Sequence, residues 1–185
     1  MRRKLLVTAS FVGRILNLTS RSSISGLVCD ILYKKVKKNE ALDFGISMEV
    51  IVKHMIEDKF GYKIQPCGLV LDSEVLGIRA SPDGTINEDI IVEIKSSFTG
   101  KDLPIDDVLR DKKHCISKSF KNINGEFEIN KKHNFYYQIQ TQLRVTEAIK
   151  CMLVVATYKS VRIFWIERDE PCIARIIKEA SEFYE

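Results

Sequence analysis

Asp83, Glu93 and Lys95 place two acids and a base in one short stretch, SPDGTINEDIIVEIK over residues 81–95. Ile86 and Ile90 flank Asn87, Glu88 and Asp89, which read as a three-residue turn between two strands. A turn centred on residue 88 sets residue 83 opposite residue 93, and opposed residues of a hairpin project from the same face. Along the second strand Ile91, Glu93 and Lys95 share that face, while Ile90, Val92 and Ile94 take the other. Spacing alone therefore gathers two carboxylates and an ammonium. Opposed carboxylates repel and weaken a sheet. Water, Lys95 as counter-charge or a divalent cation could offset that repulsion, and an oxygen-rich site suits Mg²⁺ or Mn²⁺. The chemistry that needs all three groups is metal-assisted attack of water on a phosphodiester, with the lysine orienting water and balancing charge. A glycosidase pair needs no lysine two residues from its acid. A solvated charged face is the competing explanation.

Around this stretch the periodicity changes twice. Ser10 precedes FVGRILNL and is placed to cap a short helix. Residues 22–38 carry Ile24, Leu27, Val28, Ile31 and Leu32 at helical spacing, with a basic C-terminal end that suits the helix dipole. Residues 40–60 form a longer helical pattern, with Ile46, Val50, Ile51 and Met55 as its expected apolar face and Gly61 as its stop. Short β-rich runs follow at 63–71, 75–80, 85–86 and 90–95. Residues 98–132 read as loops with one short helix at 105–110. A helix at 134–147, strands at 151–158 and 161–166, and a closing helix at 170–185 complete the pattern. The order predicts an α/β domain with a mixed central sheet flanked by helices.

Composition excludes several classes. No apolar run approaches the ~18 residues of a membrane span. The basic–apolar start MRRKLLVTASFVGRIL is interrupted by Arg14 while helical periodicity continues, which argues against a signal peptide. The five cysteines (29, 67, 115, 151 and 172) form no CxxC pair and read as buried free thiols of an intracellular, reducing compartment, cytoplasm or nucleus. His54, His114 and His133 are scattered, so a zinc site is not expected. No P-loop or GxSxG pattern is present. The net charge of +4 is compatible with nucleic acid, but each lysine cluster alone reads as solvated surface.

Pro82-Asp83 followed by Glu93-Ile94-Lys95 is the PD-(D/E)XK pattern, loose by itself. Its flanks are more specific: Thr8-Ala9-Ser10, Gly45-Ile46-x-x-Glu49, Gly77-x-x-Ala80-Ser81-Pro82-Asp83-Gly84, Val92-Glu93-Ile94-Lys95, and a run from Asn134 to Leu143 with glutamines at 138, 140 and 142. In that order they resemble the lambda-type exonuclease family, the YqaJ-like viral recombinase domains, over about residues 3–166. The resemblance implies a restriction-endonuclease-like core and a Mg²⁺-dependent deoxyribonuclease, with Mn²⁺ as an alternative ion. It implies metal ligation by Asp83, Glu93, the Ile94 carbonyl and Glu49, with Lys95 catalytic and Gln138 beside the centre. It further implies that Ser10 and Arg3 hold a DNA 5′-phosphate.

Local explanations compete at each position. Asp83 before Gly84 suits a turn, Glu49 an exposed helix position, and Ser10 a simple N-cap. Gln138 could be a polar position on an amphipathic helix. Gln140 and Gln142 read as such positions, and Tyr136 and Tyr137 as packing. Relatives extend further before the arginine matched by Arg3, so the expectation is a single nuclease domain over 1–185, with that extension absent or trimmed. The leading reading is a 5′-to-3′ exonuclease on double-stranded DNA in recombination or repair, with no membrane association. A single-strand annealing protein and a ring-shaped homo-oligomer are partners the resemblance allows. An endonuclease on the same scaffold, or a catalytically idle DNA-binding module, are the alternatives.

Overall fold

A computed structural model describes residues 7–19, 21–33, 38–75 and 77–184. In chain order its elements are β1 (Val7–Thr8), α1 (Ala9–Leu16), α2 (Ile24–Tyr33), α3 (Glu40–Phe60), β2 (Val70–Leu71), β3 (Ile78–Ala80), β4 (Gly84–Ile86) and β5 (Ile90–Ser96). Then come α4 (Ile105–Arg110), a 3₁₀ turn at Cys115–Ser119, β6 (Phe120–Ile123), β7 (Glu126–Ile129), α5 (Asn134–Thr146), β8 (Lys150–Ala156), β9 (Val161–Glu167) and α6 (Glu170–Tyr184).

The main sheet has the order β4-β5-β8-β9. It is mixed: β5 and β8 run parallel, while the outer pairs are antiparallel. Parallel neighbours need a long crossover, and residues 97–149, including α5, supply it. A second small sheet, β1-β3-β2, pairs β3 parallel to β1 and antiparallel to β2.

Each face of the main sheet is closed by helices. Val92, Ile94, Met152, Val154 and Ala156 pack with Phe44, Met48, Val52 and Ile56 of α3 in one apolar cluster. Ile91, Leu153 and Val155 pack on the other side with α1, α4 and α5. Fully burying one such side chain stabilises by roughly 1.5–3 kcal/mol. Where α1 crosses α5 the helices touch at Gly13: an added Cβ there would lie 2.8 Å from the Asn134 Cα. Among the described residues no helix is long and apolar enough to cross a membrane.

Three expectations are corrected. The apolar face Ile46, Val50, Ile51 and Met55 is not the buried face of α3. Ile46, Val50 and Ile51 are exposed, and Phe44, Met48, Val52 and Ile56 are buried. This helix carries two apolar stripes, and the one with unbroken i, i+4 spacing over three steps lies on the sheet. The loop reading of 98–132 misses the β6–β7 hairpin. Its Asn124-Gly125 turn has positive φ at both residues (54° and 92°), the geometry that favours Asn-Gly in two-residue hairpins. The five cysteines are free, yet only Cys151 is fully buried, and Cys29 and Cys115 are exposed.

Candidate active site

The β4–β5 hairpin has the register its sequence predicts, with Gly84 opposite Val92, Thr85 opposite Ile91 and Ile86 opposite Ile90. Asn87 takes positive φ (55°) in the turn. Gly84 must be glycine for space: an added Cβ would sit 2.5 Å from Ile64 Cγ2, because the segment through Gln65 bridges to Thr85. Asp83 lies just before β4. Its N–H donates to the Val92 carbonyl (3.0 Å), and its Oδ2 accepts the Ile94 N–H (2.7 Å). That bond aims the carboxyl at β5 rather than at the turn, where a simple capping Asp would point.

Glu93 is 2% exposed on a central strand. A carboxylate there must be satisfied by donors or counter-charge. Lys95, on the same face of β5, forms an ion pair with Glu93 Oε1. Gln138 Nε2 donates to Oε1 and Gln142 Nε2 donates to Oε2, each at 2.7 Å. Both glutamines come from α5. This helix starts at His133, whose Nδ1 accepts the Phe135 N–H, and ends at Glu147 in the left-handed region (φ 61°). Phe135 also lies against the Lys95 ammonium, 5.1 Å from Nζ to the ring centroid.

Burial pushes the Asp83 carboxyl up to about 7, with the Glu93 charge adding to the rise and the Ile94 N–H and Lys95 opposing it. Burial would lower Lys95, but the charge and hydrogen bond of Glu93 outweigh it, and its pKa is raised. Lys95 is therefore a firmly protonated cation beside two crowded acids.

The structure thus brings Asp83, Glu93, Lys95 and Gln138 together. Glu49 stands apart: its charge acts on Asp83, but its carboxylate is tied to Lys53 one turn along α3. Ile94 is linked to Asp83 through its N–H. Ser10 lies in the first turn of α1, not at its cap, which is Thr8; their hydroxyls are 2.9 Å apart. Arg3 lies outside the described residues.

Gln142 is the residue that reading the sequence missed. It reads as a polar helix position, yet it donates to Glu93. The signal was available: Gln138 and Gln142 are i, i+4 and share a helix face, whereas Gln140 turns away. Gln140 instead bonds the Glu167 carbonyl and the Asp169 N–H. Tyr136 and Tyr137 are buried in the core cluster, and Tyr136 donates its hydroxyl to Asp169.

The donor set fits a hard divalent ion. Asp83 and Glu93 offer only oxygens, and burial and the Glu93 charge both raise the Asp83 carboxyl, a crowding of acids that a cation would relieve. Among the described residues no group of three or more His, Cys, Asp or Glu side chains is placed to hold a metal ion, so Asp83 and Glu93 stand as a pair without Glu49. A pair of carboxylates that leaves positions for water and phosphate oxygens is the arrangement Mg²⁺ commonly takes.

Residues 1–149 match the family of YqaJ-like viral recombinase domains. No curated protein sequence matches the chain significantly. Among solved structures, the chain resembles an alkaline exonuclease, LHK-Exo, of Laribacter hongkongensis. The two are 25% identical with a TM-score of 0.72, covering 98% of this chain and 87% of that one. The same enzyme in complex with dAMP gives a TM-score of 0.73 at 23% identity, with the same coverage. A phage-related exonuclease of Haemophilus somnus 129PT shares the fold at 13% identity, TM-score 0.65, covering 98% of this chain and 94% of that one. The α/β class expected from the sequence, a nuclease core with a mixed sheet between helices, is the class observed.

Proposed function

The chain belongs to the family of YqaJ-like viral recombinase domains, and from that premise we propose that it is a Mg²⁺-dependent deoxyribonuclease that digests duplex DNA from a 5′ end. The observation that carries the reading is the buried Glu93, held at once by Lys95, Gln138 and Gln142, with Asp83 alongside. The resemblance to alkaline exonuclease structures supports an exonuclease over the other activities of this scaffold. Direction, metal dependence and a role in recombination or repair are part of the proposal.

Asp83 and Glu93 would hold the ion, with the Ile94 carbonyl as a further oxygen; Glu49 would join them only by releasing Lys53. A bound Mg²⁺, or Mn²⁺, would lower the pKa of water and offset charge on the phosphate. Lys95, kept protonated by its acidic neighbours, orients water and balances charge that develops on the phosphate oxygens. Gln138 and Gln142 each donate to one oxygen of Glu93 and so fix the plane of its carboxylate. Surface lysines would contact the DNA backbone, making binding salt-dependent. Double-stranded DNA is the partner of this reading, and an annealing protein and a ring-shaped homo-oligomer remain proposals beyond it.

Closed circular and linear duplexes of one sequence test the reading. With Mg²⁺ the linear form is expected to shorten from its 5′ ends while the circle persists. Nicking or linearisation of the circle would replace the exonuclease with an endonuclease. No hydrolysis of either, with DNA still bound, would point to an idle binding module.

A further inference from the structure

A cavity of about 650 Å³ opens between β7 and β9 and continues past the end of β9 to the start of α6. Its wall takes consecutive residues from both strands, 127–129 and 164–167. Successive residues of a strand face opposite ways, so a wall that contains every one of them runs along the strand edges, not across a face. Both edges are open. β9 stands last in its sheet, beside β8, and β7 is paired with β6 alone. Among the described residues no backbone group pairs across the free side of either strand; outside the ladders only the Glu167 carbonyl is engaged, by Gln140 Nε2.

β9 lacks the usual protection of an edge strand. It is seven residues long, carries Ile163, Phe164, Trp165 and Ile166 in a row, and has no proline. The β6–β7 hairpin is tied to its first four residues, where Arg162 bonds Glu126 and the Phe120 and Phe164 rings lie 4.6 Å apart. The cavity wall has two characters. Phe127, Ile129, Phe164 and Ile166 belong to the core cluster or pack against it, whereas Glu128 and Glu167 alternate with them and are exposed. Four acids of the wall face two cations. Lys131 is paired with Asp169 and Arg168 with Glu170. Lys150, opposite Glu167, lies on the Trp165 ring instead. Glu128 and Glu167 therefore have no ion pair among the described residues. On a chain of net charge +4 this wall is acidic, so it repels a DNA backbone and suits a basic partner.

We propose that the cavity between β7 and β9 is a docking slot for an extended segment of a partner protein, one in which apolar residues alternate with lysine or arginine. The segment adds a strand to the free edge of β9, and main-chain hydrogen bonds supply its affinity. Alternate side chains of an added strand point to opposite faces. One set meets Phe127, Ile129, Phe164 and Ile166, and the other meets Glu128 and Glu167. The slot is separate from the Asp83–Glu93 pair, neither of which lines it. The proposal therefore does not depend on the nuclease reading and stands or falls by its own test.

Trp165 is the single tryptophan of the chain, 44% exposed in the wall of the slot, and so reports on its occupancy. The probe is a fluorescein-labelled eight-residue peptide of alternating lysine and valine, followed by anisotropy, with an unlabelled copy followed by Trp165 emission. Saturable binding that changes Trp165 emission is expected. A glutamate–valine peptide is expected to bind at least about tenfold more weakly, the factor that one favourable charge contact supplies. The lysine–valine peptide with every second amide N-methylated, which removes the donors of one edge, is expected to lose at least as much. The protein carrying both Glu128→Lys and Glu167→Lys is expected to reverse the preference between the two peptides, with an unchanged circular dichroism spectrum. No saturable binding overturns the proposal. So does binding indifferent to N-methylation, which would mark a loose charge contact, or indifferent to the two substitutions, which would place the peptide elsewhere. A change in Trp165 emission with protein concentration alone would give the slot to a second copy of the chain, and displacement of the peptide from Trp165 by duplex DNA would give it to nucleic acid; either result also overturns it.

Discussion

On one face of β5, Ile90, Val92 and Ile94 meet α3 in an apolar cluster with Phe44, Met48, Val52 and Ile56. On the other face Ile91 is followed by Glu93 and Lys95, which meet α5 and its two glutamines. The strand, its hydrogen-bond ladder and its depth are common to both faces. The first face gains stability from area and shape alone. The second places charge in low dielectric and must satisfy it with an ammonium and two amides. Apolar residues of similar size in place of a buried ion pair are often neutral or stabilising. Stability therefore does not explain the charged face, and chemistry does.

The sharpest break in this comparison is Glu93→Gln. It is expected to lower DNA hydrolysis at least about 10²–10³-fold, the usual cost of removing one electrostatic group from a catalytic centre, while circular dichroism shows an unchanged fold. Retained activity within about tenfold would show the second face to be structural like the first. Met48→Ala probes the apolar face in reverse. A buried Met→Ala change costs about 2–5 kcal/mol, so denaturant unfolding is expected to shift by that amount while the rate per folded molecule holds. Gln142→Leu keeps the volume but removes the donor to Glu93, and a loss of about 10–100-fold is expected, as for partners that orient a ligand. If the rate is untouched, Gln138 and Lys95 suffice to hold Glu93.

The smallest effect concerns how α5 is tied down. Arg144 of α5 bonds the buried Asp72 at 3.1 Å. Burial pushes the Asp72 carboxyl up, but N–H groups of Val75 and Glu74 and then Arg144 outweigh it and hold the pKa below its ordinary value. A depressed carboxylate stabilises the fold above the unfolded pKa, about 3.9, and that contribution fades as pH falls through the folded value. Urea unfolding at pH 7 and near pH 3 is expected to separate wild type from Asp72→Asn at neutral pH and to narrow the gap in acid. A gap that stays constant would assign the difference to shape rather than charge.

How far the sequence reveals this molecule depends on whether a feature is local. The β4–β5 register follows from one turn and two flanking isoleucines, so the patch of Asp83, Glu93 and Lys95 is readable before any coordinates. The α3 limits are equally local, set by the Asn39 side chain accepting the Leu42 N–H at the start and by left-handed Gly61 at the end. Which face of α3 is buried is not local: both stripes are apolar, and the sheet selects one. The β6–β7 hairpin carries an Asn-Gly signal that its polar, lysine-rich surroundings mask. Gln142 could be read from its four-residue step from Gln138, but only once α5 is known to lie over Glu93.

The most direct test of the central claim is a time course on linear duplex labelled at either end, with Mg²⁺ or with chelator, for wild type beside Lys95→Ala. The account predicts Mg²⁺-dependent loss of the 5′ label first for wild type, none in chelator, and a variant that binds DNA while hydrolysing it at least about a hundredfold more slowly. Equal hydrolysis by the two proteins, or hydrolysis that persists in chelator, would contradict it.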